Sequence, residues 1–314
     1  MPEPQKRRNR FKRKPIGQID FIRSPYYGAM IHYVWRYGML TIGQVAALTE
    51  TSVYSTRPRL RKLFDHEFLD RLYQPVILGE GSKPDVYVLG KAGKKYLTEY
   101  YGYQFARRKL VSNKARYIQH NLMISDIISA FDLACREIDN LEMLWPEDIL
   151  AKSPEKTRAM KYPFNLKTEL RDEKNHKFSY NLTPDKVFGL ERVIAGESKR
   201  VLFFLEADRS TESVNAKRLN KSSIRKKVLG YQDIYLRKLQ QERYGFGNFR
   251  ALFVTKTKER KDSILLYLRD VHKDSKGLGV FNLAALADLI AGENILTDEI
   301  WERVKVEENV SLLK

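Results

Sequence analysis

Cysteine is nearly absent: one residue, Cys135, in 314. With no second thiol the chain forms no internal disulfide, and it has no cysteine set for a zinc finger. Long apolar runs are missing too. None reaches the roughly 18 residues that cross a bilayer, so a membrane is not an expected partner. The N-terminus opens on charge and leads into no apolar h-region, which argues against a secretory signal and for a reducing cytoplasm. Histidine is scarce: His32, His66, His120, His176 and His272 are scattered, with no His-x-His pair to grip a metal. The glycines form no Walker-type phosphate loop.

Acidic residues are in deficit, and that turns the reading positive. Lys and Arg number 57 against 39 Asp and Glu, a net charge of +18 with an isoelectric point near 9.7. Such a balance calls for a polyanion, nucleic acid or an anionic surface. The excess is uneven: residues 1–118 hold 23 Lys and Arg against 9 Asp and Glu. Hydrophobic residues are still 43% of the chain, enough for two cores of about 150 residues each.

Residues 1–15 (MPEPQKRRNRFKRKP) hold seven basic side chains between prolines and read as a disordered arm, either tracking phosphates or solubilising the chain. From Tyr26 to Tyr37 apolar residues recur at helical spacing. Thr41 caps a short helix bearing Val45, Ala46 and Leu48. Thr49-Glu50-Thr51 is a turn, and Ser52 can cap a third helix through Phe64, rich in Arg57, Arg59, Arg61 and Lys62. Two β-rich runs, 69–78 and 85–89, flank a Gly/Ser/Pro loop holding Lys83, and a helix opens at Lys91. This is the pattern of a winged helix-turn-helix, whose second helix enters the major groove while the hairpin follows the backbone. Pro58 falls inside that helix, so a late start near Ser55 or a kink is expected. That favours Arg59 and Arg61 over Tyr54 for base contact. A basic connector over 105–118, with Arg107 and Arg108, adds DNA-binding candidates. The expected domains are the arm 1–15, the winged unit 16–110 and an α/β unit 111–314.

In the second half, 118–138 reads as an apolar helix and 142–150 as a strand. Residues 151–178 read as a polar insertion without period. Lys186–Leu190 and Arg200–Ala207 read as strands, 222–241 as an amphipathic helix, and Arg250–Thr255 as a buried strand. A helix over 261–272 and a short strand over 279–283 complete the order, a mixed sheet covered by helices. Residues 281–297 read as a core helix, with dimer contacts as the other use.

Pro184-Asp185 precedes one strand, and Glu206 and Asp208 close the next. Residues two apart on a strand share a face, so three carboxylates can converge at one sheet end. Three such oxygens suit Mg²⁺ or Mn²⁺, the ions of phosphodiester chemistry. The element order with Asp185 and Glu206 resembles the restriction-endonuclease type of nuclease fold, whose pattern is Pro-Asp, then acidic-any-Lys. Asp208 stands where that lysine belongs, and Lys226 or Lys227 on the following helix is the candidate substitute.

Across residues 38–255 the chain resembles the replication-relaxation family of bacterial plasmids and integrative elements. The likeness rests on LTIGQVAALTETSVYSTRPRLRKLFDHEFLDRLYQPV, VYVLGKAGKKYL, HNLMISDI, TPDKVFGL, FFLEADRSTES and KVLGY. Two departures stand out. Lys186 follows Pro-Asp where glycine is usual, and Glu67-Phe68 precedes the first wing strand where glycine is usual. The resemblance implies a winged helix-turn-helix joined to a restriction-endonuclease-like mixed-sheet domain, of α+β or α/β class. It implies a protein that binds a mobile element's origin on double-stranded DNA and assists relaxation, replication initiation or transfer. A second copy of the chain, or other replication or transfer proteins, are the further expected partners. Three forms stay open: an origin-binding accessory, a divalent-metal nickase or nuclease using Asp185, Glu206, Asp208 and Lys227, and a winged-helix repressor.

Overall fold

The computed structural model describes residues 11–15, 17–21, 24–74, 83–103, 114–172, 174–210, 212–216, 219, 222–271, 276–306 and 308–313. Contacts divide the chain into two units, 1–129 and 130–314.

In the first unit, α1 (Tyr26–Tyr37) leads through β1 (Leu40–Thr41) to α2 (Ile42–Leu48) and α3 (Val53–Asp65). Thr41 and Gln44 form a reciprocal capping box that satisfies the first amides of α2. The turn between α2 and α3 is tied by side chains. Thr49 Oγ1 donates to the Val45 carbonyl at 2.7 Å, and the Thr51 and Thr56 hydroxyls meet at 2.7 Å. Ser52 caps α3, its Oγ accepting from the Ser55 amide at 3.1 Å. The cap sets the helix start at Val53, so the late start expected from Pro58 does not occur. Proline removes only one amide bond here, and the first turn is already fixed.

Strands β2 (Leu69–Leu72) and β3 (Val86–Leu89) form the wing, and β1 pairs with β3 to give the order β1-β3-β2. The part of the first wing strand expected beyond Gln74 lies outside the described residues. Gln74 Nε2 donates to the Pro84 carbonyl at 2.9 Å and closes the hairpin base. Helix α4 (Lys91–Tyr101) follows, starting at Gly90. Glu67 has a φ of +62°, the left-handed conformation that costs a side-chain-bearing residue energy. That is the physical reason for a glycine before the wing.

Of the arm expected over 1–15, Arg13 and Lys14 lie on the winged unit. The Arg13 guanidinium bonds the Phe64 carbonyl and Asp70, and the Lys14 amide donates to Asp65 at 3.1 Å. Residues 1–10 lie outside the described residues.

The boundary expected near 110 falls at 129/130, inside α5 (Ala115–Arg136). The early part of this helix belongs to the winged core. Ile118 and Leu122 pack with Met39, Leu72, Val86 and Val88, and Ser125 Oγ donates to the Met39 carbonyl at 2.6 Å. The later part belongs to the second unit, where Phe131 meets Phe188 and Phe203.

The second unit is built on a six-stranded sheet, order β11-β10-β9-β8-β7-β4. After β4 (Leu141–Leu144) the chain does not continue as a strand to 150 as expected. Pro146 opens α6 (Pro146–Ala151), and Asp148 accepts from the Trp145 amide at 2.9 Å. The segment read as an aperiodic insertion holds α7 (Glu155–Arg158) and the hairpin β5 (Leu166–Arg171) with β6 (Lys177–Leu182). β5 alternates buried and exposed residues, a period overlooked among the charges. β7 (Lys186–Ile194) and β8 (Glu197–Asp208) are antiparallel, and β8 pairs parallel with β9 (Phe249–Thr255). Helix α8 (Ile224–Arg237) makes that crossover. It ends at Lys238 in a left-handed turn, before α9 (Leu239–Tyr244). Then come α10 (Lys258–Val271), β10 (Phe281–Ala285) parallel to β9, α11 (Leu286–Ala291) and β11 (Glu302–Arg303). The core-helix reading of 281–297 is corrected, because its first five residues are a fully buried strand.

Two substitutions test the joint between α3 and the wing. A Cβ on Gly90 would sit 2.2 Å from the Glu67 carbonyl oxygen, so Gly90→Ala should destabilise by about 1–3 kcal/mol. Glu67→Gly should stabilise by up to about 1 kcal/mol by releasing left-handed strain. Urea denaturation of the two variants reads both signs.

Candidate nucleic-acid interface and acidic cluster

Helical periodicity sorts the cationic side chains of α3 onto different faces. Tyr54, Arg57, Pro58 and Arg61 follow a spacing of three and four residues and line one open groove with Arg71, Lys83 and Asp85 of the wing. The groove encloses about 820 Å³. Tyr54 is 91% exposed there, and Arg57 is exposed beside it. Arg61 is held in place: its Nε faces Asp65 at 3.2 Å and its Nη2 donates to the Lys12 carbonyl at 2.7 Å. Arg71 lies beneath, 3.6 Å from Asp85 and stacked on Phe64 and Tyr87, and so fixes the wing against α3.

Arg59, preferred over Tyr54 for base contact, lies on another side of α3. Arg59 lies over the Tyr26 ring at 4.6 Å and donates to the Ser55 carbonyl, while Lys62 lies 6.0 Å from the Tyr27 ring. Both turn to α1 rather than to the groove. Residue spacing already separated Arg57 and Arg61 from Arg59, but only the packing of α1 shows which face stays open. Lys83 lies at the groove, whereas Arg107 and Arg108 fall outside the described residues.

In the second unit the acidic residues lie where the strands place them, but they do not form a carboxylate triad. Asp185 caps the β7–β8 hairpin: its Oδ2 accepts from the Ala207 amide at 2.9 Å, and its own amide donates to the Leu205 carbonyl. Glu206 is 1% exposed. Its Oε1 accepts from the Tyr231 hydroxyl at 2.6 Å and its Oε2 faces Lys227 Nζ at 2.9 Å. Asp208 accepts from Arg260 Nε at 2.5 Å and from the Ser210 amide. Arg260 also donates to the Glu212 carbonyl at 2.5 Å. Lys227 has a second partner, Glu212 Oε2 at 3.2 Å.

Of the two lysines open as substitutes, Lys227 is the one brought to Glu206. Lys226 points to the β5–β6 hairpin, over Tyr180 at 4.6 Å. Among the described residues no three His, Cys, Asp or Glu side chains group to hold a metal. In this arrangement each of Asp185, Glu206 and Asp208 has a protein partner. Two of the carboxylates already carry a cation, and the third is spent on a backbone amide.

Burial dominates the electrostatics. Desolvation pushes the Glu206 carboxyl up to about 7 and Asp185's charge adds to this, against the pull of Lys227 and the Tyr231 hydroxyl. For Lys227 burial works against the charge, but Glu206, Asp185 and Glu212 outweigh it and hold the amine above the ordinary lysine range.

The fold defines a two-part protein: a winged helix-turn-helix, then an α/β unit built on a six-stranded mixed sheet whose strand-end acids are charge-paired. The chain belongs to the replication-relaxation family, whose model matches residues 32–248. Membership ties it to DNA replication and relaxation. No curated protein matches it significantly. Two solved structures are similar in part. One is Bacillus subtilis PadR in complex with operator DNA, at 18% identity and a TM-score of 0.21, over 36% of this chain and 68% of that one. The other is SdaI restriction endonuclease, at 10% identity and a TM-score of 0.19, over 80% of this chain and 78% of that one. No helix among the described residues is long and apolar enough to cross a membrane.

Glu206 gives a pH prediction. Its folded value lies above the ordinary 4.5, so the folded state holds more protons than the unfolded one between about 4.5 and 7. Its contribution is fully present below 4.5 and is lost as pH rises through about 7. Urea unfolding at pH 5 and pH 7.5 should show a smaller loss on going to the higher pH in Glu206→Gln than in wild type. An unchanged pH dependence would mean that Glu206 is not the titrating group.

Proposed function

We propose that the protein binds duplex DNA through the α3–wing groove, and that it does so at the origin of a plasmid or integrative element to assist relaxation, replication initiation or transfer. The observation that carries this is the groove: an exposed tyrosine and three arginines, with Lys83 beside them, along one helix face and its wing. Arg57 reaches base edges with its planar fork, Tyr54 packs beside it, and Arg61 and Lys83 meet phosphates. Arg71 acts indirectly by seating the wing. In this reading the α/β unit is an assembly scaffold in the bacterial cytoplasm, built on the nuclease-type topology. Its acidic cluster is an ion-paired strut joining β8 to α8 and α10.

Binding to the cognate origin, measured by fluorescence anisotropy, should weaken in Arg57→Ala by roughly 1–3 kcal/mol per base that the guanidinium reads, with reduced sequence preference. Arg59→Ala should leave the preference intact. The reverse pattern would move the interface to the α1 side of α3.

A supercoiled plasmid carrying that origin, incubated with Mg²⁺ or Mn²⁺, separates scaffold from nuclease. The scaffold reading expects no metal-dependent nicking by wild type. Nicking that disappears in Glu206→Gln would place cleavage at the cluster and overturn it.

A further inference from the structure

The other end of the sheet gathers the opposite charge. β11 is short, and its two side chains point to opposite faces. Glu302 pairs with Leu283 and meets Lys261 of α10. Arg303 pairs with Asn282 and therefore faces the other way. Arg250 shares that face, because Asn282 pairs with Leu252, two residues further along β9. Asn282 is 0% exposed, yet neither its amide oxygen nor its nitrogen has a hydrogen-bond partner among the described residues. Arg303 Nε and Nη2 are buried in the same condition. Arg250 Nη1 donates to the Gly279 carbonyl at 3.2 Å. Burial first, and then the nearby charge of Arg303, hold the Arg250 guanidinium below its usual range.

Among the described residues no carboxylate pairs with either guanidinium. Two like charges and several buried donors left unmatched favour the arrival of an anion. Arg250 also lines a pocket of about 510 Å³ with Lys305, Asn248, Gln240, Tyr235 and Gly279. That volume lies in the range of small-ligand sites. The forked guanidinium geometry matches phosphate oxygens. The pocket is distinct from the acidic cluster: β8 and β9 run parallel, Asp208 pairs with Thr255 at their far end, and Leu202 pairs with Phe249 at this one.

We propose that Arg250, Asn282 and Arg303 form a binding site for a small phosphate-bearing ligand, with the neighbouring pocket taking whatever the phosphate carries. Free phosphate and a nucleoside monophosphate share this chemistry. The test is thermal unfolding of the full chain with inorganic phosphate, AMP or adenosine, at an ionic strength held constant with chloride. Phosphate and AMP should raise the Tm and adenosine should not. A larger effect of AMP names a nucleotide as the source, and equal effects name free phosphate.

In Arg303→Met the Kd for the effective anion should weaken at least about tenfold, the scale of a missing charge-assisted bond. The ligand-free Tm of this variant should hold or rise, because a buried repulsion is removed. Arg57→Ala in the winged groove should keep the full shift. The proposal is overturned by any of four results: no shift beyond chloride, a shift surviving in Arg303→Met, a lowered ligand-free Tm in that variant, or a shift abolished in Arg57→Ala.

Discussion

The α/β unit depends on one constraint: β8 must find a partner on each side. Its last seven residues, Leu202–Asp208, are all buried, a run that only a central strand can carry. On one side the tight β7–β8 turn supplies an antiparallel neighbour. On the other, β9 is parallel, so the chain has to return across the sheet through α8. That crossover puts Val228 and Tyr231 on the sheet core and sets Lys227 against Glu206. A buried carboxylate at the end of β8 would be costly alone. With an amine and a phenol hydroxyl aimed at it, it becomes a strut between strand and helix. The hairpin β5–β6 completes the covering of α8, close enough that a Cβ on Gly230 would touch Leu182 and Tyr180.

In the winged unit the governing interaction is the capped turn between α2 and α3. Side-chain hydroxyls of Thr49, Thr51, Ser52 and Thr56 bind it together, so the angle between the two helices does not rest on hydrophobic contact alone. Once that angle is set, α1 covers the side of α3 that carries Arg59 and Lys62. The opposite side, with Tyr54 and Arg57, opens toward the wing. Arg71 and Asp85 hold the wing base there, and Arg13 and Lys14 hold the chain's entry against Asp70 and Asp65.

The two ends of the main sheet differ in how charge is compensated. At the carboxyl end of β8 the acids are matched by Lys227 and Arg260. At the amino end of β9, Arg250 and Arg303 share a sheet face with Asn282, whose amide has no hydrogen-bond partner among the described residues. A matched cluster holds elements together, whereas an unmatched one attracts an ion of opposite sign.

Much was readable from residues alone, because it follows from local chemistry. Thr41 and Ser52 announced the starts of α2 and α3 through their side-chain oxygens, and the Gly/Ser/Pro loop announced a hairpin. VLFFLEA and RALFVT announced central strands, and the Pro184-Asp185 and Glu206 spacing put these acids at one end of a sheet. Other features were decided by distant partners. The sequence could not say that Pro58 would leave the helix start unmoved, since Ser52 fixes it independently, or that Arg59 would face Tyr26. It could not choose Lys227 over Lys226, a choice made by the hairpin that takes the Lys226 ammonium. Nor could it show that Asp208 would find Arg260, or that Asn282 and Arg303 would share a buried face with Arg250. Caps, turns and periods act within a few residues along the chain and are written locally. Which charges meet, and which are left unmet, depends on strands and helices far apart in sequence being packed together.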